Sequence, residues 1–309
     1  MTLYLHLGAH KTATTFLQNV LKHNEAALEA RGVARVKIQP RHLFWHFLRD
    51  GDREAYKKRR RTLGRKLKTF DQDWPNAVLT SETMFGTSDL DSADRLYPNA
   101  DMALRVLSQL TEGMDRKVIF YVRRQDDFIE ASFINRLQTL ATSIHLDHTK
   151  LLADDSWSNF DSYLQSFDVT ALSWLNLAER MATHFGAENL IIRPFETIRR
   201  SREDYARDFL APMCDTAGLD FAPDVYENRS FSAPAMAEFL RLAPLQDFQD
   251  LRALRLRLQE EYPNTDHPRP TLLSPEQRSQ IRAMHQDSNA DLFDRFIAAP
   301  DREGISYAP

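Results

Sequence analysis

The sequence predicts an α/β fold: a central, mainly parallel sheet of about four or five strands, flanked by helices and followed by a helical C-terminal extension. Three observations predict it. Short β-branched and aromatic runs recur at residues 3–7, 77–80, 117–122 and 189–193. A turn or a stretch of helical periodicity follows each run, and strands alternating with helices bury both faces of a parallel sheet. Beyond the fourth run, apolar residues recur at helical spacing only.

Taken in order, the helical segments are 14–30, 100–110, 127–140, 171–185, 236–242, 251–261 and 275–297, with a basic helix around 57–68 between the first two strands. The proline-rich stretch 263–275 reads as a surface loop before the last helix, because proline cannot continue a helix. No internal repeat is visible, and residues 1–309 are expected to form one domain. A hydrophobic content of 42% and an aromatic content of 10% suffice for a substantial core. The single cysteine, Cys214, excludes an internal disulfide framework and a Cys-rich zinc site. The first residues lack the basic region and apolar length of a signal peptide, and no run approaches the ~20 apolar residues of a membrane span. These features lead us to expect a cytoplasmic protein.

The segment from Leu5 to Gln18, LHLGAHKTATTFLQ, reads as a buried strand, a tight turn and an amphipathic helix. A turn that enters a helix N-terminus points free backbone N–H groups outward and adds the positive end of the helix dipole. Lys11 adds a point charge, and the hydroxyls of Thr12, Thr14 and Thr15 are potential donors to phosphate oxygens. Only two residues separate Gly8 from Lys11, so the full Walker pattern of nucleotide triphosphatases is absent. The same residues also suit a plain helix start with threonine caps.

A second segment, KVIFYV, ends in Arg123-Arg124-Gln125-Asp126-Asp127, with Ser132 eight residues after Arg124. Arginines at a strand's C-terminal end lie on the edge where open α/β sheets bind ligands, and a guanidinium matches phosphate geometry. The alternative is that both arginines pair with Asp126 and Asp127 while Ser132 packs.

The first segment resembles the 5'-phosphosulfate loop of sulfotransferases, Lys-Thr/Ser-Gly-Thr-Thr, and the Arg124 and Ser132 spacing is similar to that family's 3'-phosphate site. The resemblance implies a P-loop-like fold and 3'-phosphoadenosine 5'-phosphosulfate as co-substrate, with no metal. It implies that Lys11 contacts the 5'-phosphate and the bridging oxygen, that residues 12–15 hold the 5' end, and that Arg124 and Ser132 hold the 3'-phosphate. The sequence departs at Ala13, where the family has glycine; a positive φ there costs an alanine about 1–2 kcal/mol. Asn228-Arg229-Ser230-Phe231-Ser232 resembles a later segment near the nucleotide, which makes Arg229 a further candidate ligand.

Sulfuryl transfer also needs a base for the acceptor hydroxyl or amine. Glu82 follows a strand that ends at the ligand-bearing edge, where the family places a His or Glu; His10, beside Lys11, is the second candidate. Small-molecule, carbohydrate, lipid and peptide acceptors all stay open, since the sequence does not narrow them, and oligomeric state is equally unreadable. A net charge of -4 and the absence of a nucleic-acid-binding module argue against nucleic acid, although the basic block from Lys57 to Lys68 could border the acceptor cleft and attract an anionic acceptor. His42 and His46 share a helix face without the glutamate of a zinc protease, and His145 and His148 have no visible partners, so neither pair is expected to bind metal. Two other readings stand: an ATP-dependent small-molecule kinase, and a catalytically inactive nucleotide-binding regulator.

Overall fold

A computed structural model describes residues 1–37, 53–82, 84–85, 96–140, 157–221 and 230–309. Its strands are β1 (Thr2–Leu7), β2 (Val33–Arg35), β3 (Asn76–Ser81), β4 (Asp115–Val122) and β5 (Leu190–Pro194). They form one parallel sheet in the order β2-β3-β1-β4-β5. All four expected strands are present. The fifth, β2, is a three-residue edge strand too short to show periodicity.

The helices among the described residues are α1 (Thr14–His23), α2 (Glu25–Ala30), α3 (Arg53–Asp73), α4 (Ala100–Leu110), α5 (Gln125–Leu140), α6 (Phe160–Gln165), α7 (Trp174–Phe185), α8 (Arg202–Leu210), α9 (Ala233–Leu242), α10 (Phe248–Glu261), α11 (Pro275–Met284), α12 (Gln286–Phe296) and α13 (Ala299–Arg302). Two helices expected to be continuous are broken, at Asn24 and at His285, and both breaks have tertiary causes. The Asn24 side chain donates to the Asp220 carbonyl at 2.6 Å and accepts from the Asp220 N–H at 2.9 Å. The His285 ring reaches the Val169 carbonyl at 2.9 Å.

Strand side chains alternate between two apolar layers, as a sheet covered on both faces requires. Tyr4, Val78, Ile119 and Tyr121 face α1, α2 and α8, meeting Leu17, Val20, Leu28 and Phe209. Leu3, Leu5, Ala77, Leu79, Val118 and Phe120 face the larger layer, which includes Leu63, Leu67, Leu104 and Leu177. The C-terminal helices contribute Leu251, Leu254, Leu258, Ile281 and Leu292 to that same layer. Residues 263–274 form neither helix nor strand, but their far end is anchored: the N–H groups of Leu272 and Leu273 both donate to the buried Glu130 carboxylate. Ser274 and Gln277 then form a capping box that starts α11 with Pro275 in its first turn.

From β1 the chain crosses to β2 on one side of the sheet, whereas from β4 it moves to β5 on the other. The crevice beyond the carboxyl ends of β1 and β4 is therefore the topological switch point, where open parallel sheets bind ligands. Both sequence motifs sit there.

Candidate functional site

The loop between β1 and α1 is built around close contacts and left-handed backbone. The Gly8 N–H donates to Ser81 O at 3.1 Å, which ties the loop to the end of β3. A Cβ on Gly8 would lie 2.3 Å from Thr14 Oγ1, so only glycine permits α1 to start this close to the strand. Lys11 and Ala13 have φ of 61° and 56°, on either side of a Thr12 whose φ is not positive. Such an alternation turns successive N–H groups toward one concavity, a nest for an anion, at the positive end of α1. The Thr12 hydroxyl donates to Ala9 O at 2.7 Å and its carbonyl accepts from Tyr205 at 2.9 Å, so its side chain shapes the loop. Thr14 Oγ1 is buried with no hydrogen-bond partner. Thr15 lies half-buried in the first turn of α1.

Ala13 supplies a direct check on the loop geometry. Glycine there relieves about 1–2 kcal/mol of left-handed strain but adds about 0.4–1 kcal/mol of unfolded-state entropy. Ala13→Gly should therefore raise unfolding stability by up to about 1 kcal/mol in urea titration. A destabilised variant would contradict the left-handed conformation.

At the end of β4, Arg123 turns toward the loop. Its Nη1 donates to Lys11 O at 2.8 Å, its guanidinium lies 5.0 Å from the Phe195 ring centre, and its Nε is buried without a partner. Arg124 points the other way and donates to Asp126 through Nε at 2.6 Å and through Nη2 at 2.9 Å. Asp126 is fully buried and also accepts from Arg278 at 3.1 Å. Asp127 pairs with Arg278 and Arg199. Burial alone would raise the Asp127 carboxyl, but Arg124, Arg123, Arg278 and Arg199 together hold it below its usual pKa. Ser132 is fully buried, and its hydroxyl has no partner. Thus Arg124 is engaged with Asp126, as the alternative reading expected, while Ser132 keeps an unused hydrogen-bonding group.

Lys11, His10 and Glu82 come together with Tyr97, a residue the motifs did not point to. Burial is the main cause of a Lys11 pKa lowered to about 8; Glu82 opposes the shift, and Arg123 and Arg255 add to it. No carboxylate among the described residues lies within salt-bridge distance of the Lys11 ammonium. The Tyr97 oxygen accepts from the His10 N–H at 3.1 Å and lies 3.1 Å from His10 Nδ1. Burial, and then the Lys11 charge, lower the His10 pKa to about 3, so the ring is neutral at pH 7. Assigning the phenol proton to the Tyr97–Nδ1 bond makes Nδ1 the acceptor and leaves the remaining ring proton on Nε2. In that tautomer His10 is a donor and not a base. Tyr97 has a left-handed φ of 52°, held by Arg180, which donates to the carbonyls of Leu96 and Tyr97 at 3.0 and 3.1 Å.

Arg255 on α10 was also missed, although the sequence contains its signal. It belongs to the stripe Leu251, Leu254, Arg255, Leu258, an arginine on an otherwise apolar helix face. Its Nε is buried and unpartnered, and its charge reaches Lys11. Arg229, His42, His46, His145 and His148 lie outside the described residues.

With this arrangement in view, two solved structures are similar to the chain. One is a sulfotransferase from Alicyclobacillus acidocaldarius, at 13% identity over 94% of each chain, with a TM-score of 0.43. The other is the mouse sulfotransferase SULT7A1 complexed with PAP, at 13% identity over 94% of this chain and 85% of that one, with a TM-score of 0.42. No family model matches the chain, and no curated protein matches it. A likeness this distant says nothing about chemistry or family. The site's own groups have to supply that.

Proposed function

We propose that the chain is a sulfotransferase acting on a hydroxyl or amine. The observation that carries the reading is the loop: a lysine ammonium without a carboxylate partner among the described residues, a buried Thr14 hydroxyl without a hydrogen-bond partner, and a strained nest at the switch-point crevice. Unpartnered buried polar groups are costly, and at a preorganised site an anion satisfies them. When bound, 3'-phosphoadenosine 5'-phosphosulfate would supply a sulfuryl group on a phosphate leaving group, transferred in line through a loose transition state. The chain's residues divide the remaining work. Lys11 holds the negative charge that gathers on the leaving oxygen, and Thr14 and the N–H groups of residues 11–14 hold the 5' end. Arg123 keeps the nest in shape through the Lys11 carbonyl. Glu82 takes the acceptor proton, because the neutral His10 ring has its acceptor nitrogen occupied by Tyr97.

At the nucleotide's other end the candidate ligands are Ser132 and Arg124, and a 3'-phosphate must compete with Asp126 for the arginine. Calorimetric titration with 3'-phosphoadenosine 5'-phosphate, beside AMP and ATP with magnesium, tests the reading. We expect the bisphosphate to bind about 10-fold or more tightly than AMP, with part of that margin lost in Ser132→Ala. Ser132 is the cleaner variant, since its hydroxyl has no partner to lose, whereas Arg124→Ala leaves Asp126 to Arg278 alone. Equal affinity for AMP and the bisphosphate would overturn the assignment and leave the kinase and regulator readings, and preference for ATP with magnesium would favour the kinase.

A further inference from the structure

Tyr97 is restrained through both its backbone and its ring, although the proposed reaction gives it no task. Its φ of 52° is a left-handed conformation that a bulky residue rarely adopts. Arg180 on α7 pins that turn, donating to the carbonyls of Leu96 and Tyr97 and, through Nε, to Asp101 on α4 at 2.7 Å. The Ala100 N–H donates to the Tyr97 carbonyl at 2.9 Å and joins the turn to the start of α4. The phenol ring is buried, 5.7 Å from the Phe85 ring and 5.8 Å from that of His10. Strained backbone persists where its surroundings over-determine it, and it clusters at working sites.

What the restraint delivers is the hydroxyl. It accepts from the His10 N–H and donates to His10 Nδ1, both at 3.1 Å, so one oxygen fixes the loop and the ring together. With Nδ1 filled, the ring proton resides on Nε2. In contrast to the Nε2 of His6, which is fully enclosed, the Nε2 of His10 borders open space and has no partner among the described residues, although the ring is only 5% exposed. Its neighbours are the groups of the reaction. Lys11 is next in the chain and its charge reaches the His10 ring, while the charge of Glu82 reaches both Lys11 and Tyr97. In-line transfer puts the sulfur between the leaving oxygen at Lys11 and the acceptor at Glu82, the interval that His10 flanks.

We infer that His10 donates a hydrogen bond from Nε2 to an oxygen of the sulfuryl group, and that Tyr97 is the positioning residue that holds this tautomer. This inference rests on the proposed sulfotransferase reading. As the S–O bond to the phosphate breaks, its electron pair goes to the leaving oxygen beside Lys11. The acceptor's lone pair forms the new bond to sulfur, and the acceptor proton goes to Glu82. His10 keeps its proton throughout, so it supports the transferring group without competing with Glu82 as a base.

The test combines nitrogen-15 NMR of the histidine rings of the full chain at pH 7 with calorimetric titration. His10→Ala identifies the signal among the ten histidines and removes the donor; Tyr97→Phe keeps the ring and removes the hydroxyl. We expect wild-type His10 in the Nε2–H form alone, and both neutral forms in Tyr97→Phe. Each variant should bind 3'-phosphoadenosine 5'-phosphosulfate about 5- to 10-fold more weakly, while affinity for 3'-phosphoadenosine 5'-phosphate, which lacks the sulfuryl group, changes less than about 2-fold. A wild-type ring protonated on Nδ1 overturns the inference. So does a loss shared equally by the two nucleotides in both variants, which would reduce His10 and Tyr97 to supports of the loop. If the wild type shows the single tautomer but binds neither nucleotide, the sulfotransferase reading falls and the sulfuryl contact with it, whereas the hold of Tyr97 on the tautomer stands.

Discussion

Lys11→Met is expected to weaken binding of 3'-phosphoadenosine 5'-phosphate by about 100-fold and to lower sulfuryl-transfer turnover by a further factor of about 10²–10³. The ammonium is removed from a place where burial strengthens every charge interaction. Stability should move the opposite way. A half-buried ammonium with no carboxylate partner among the described residues, beside Arg123 and Arg255, is a liability to the fold. The methionine variant should therefore melt at or above the wild-type temperature while losing its ligand. A pH series adds a separate readout. With a Lys11 pKa of about 8, wild-type affinity for the nucleotide should fall as the pH rises past that value, and the methionine variant should lose this limb. A variant that melts much lower, or that still binds with the wild-type pH profile, would place Lys11 outside the anion site.

Below neutral pH the fold should lose stability steeply. His6 is fully buried, with Nδ1 3.0 Å from Thr80 Oγ1 and Nε2 without a partner; burial lowers its pKa to about 3. His10 is lowered to about 3 as well. Both values lie below the unfolded value near 6.5, so between the two the unfolded chain binds more protons than the native one. The stabilisation is thus complete above about pH 6.5 and is lost as pH falls toward 3. Each histidine contributes a slope of about 1.4 kcal/mol per pH unit, close to 3 for the pair, and a few units of that slope match the whole stability of a typical domain. Urea unfolding at steps from pH 7 to pH 4.5 should show a two-proton slope below pH 6. His6→Asn, which cannot titrate, should halve it. A flat profile across that range would mean that neither ring is buried as described.

What could be read from the sequence follows from how local each signal is. The four longer strands and the loop around Lys11 are contiguous patterns, and each was recognisable without the rest of the chain. Strand β2 was not, because three residues of an edge strand carry no period. The breaks at Asn24 and His285 were not, because each depends on a partner more than a hundred positions away. The site divides in the same manner. Lys11, Thr14 and the left-handed position at Ala13 were visible in one short motif. Tyr97 was not, since nothing in its neighbourhood signals a contact with His10, 87 residues earlier. Arg255 was visible in principle as a charge on an apolar helix face. The pairing of Arg124 with Asp126 lay between two competing readings, and only the side-chain geometry chose one.

The strand end that carries Arg123 and Arg124 is held by Glu196, which accepts from the Arg124 N–H at 3.0 Å, and by Tyr307, whose hydroxyl lies 2.6 Å from that carboxylate and 3.2 Å from the Val122 carbonyl. Tyr307 is made 185 positions after Val122. A nascent chain extends at about 5–20 residues per second, so roughly ten seconds or more separate synthesis of the strand from arrival of its clasp. For that interval the early half of the chain has the Lys11 loop but not the finished crevice, and exposed parallel strand edges at this stage are prone to aggregate. Recombinant yield should consequently depend on how quickly the late helices follow the ribosome-bound sheet.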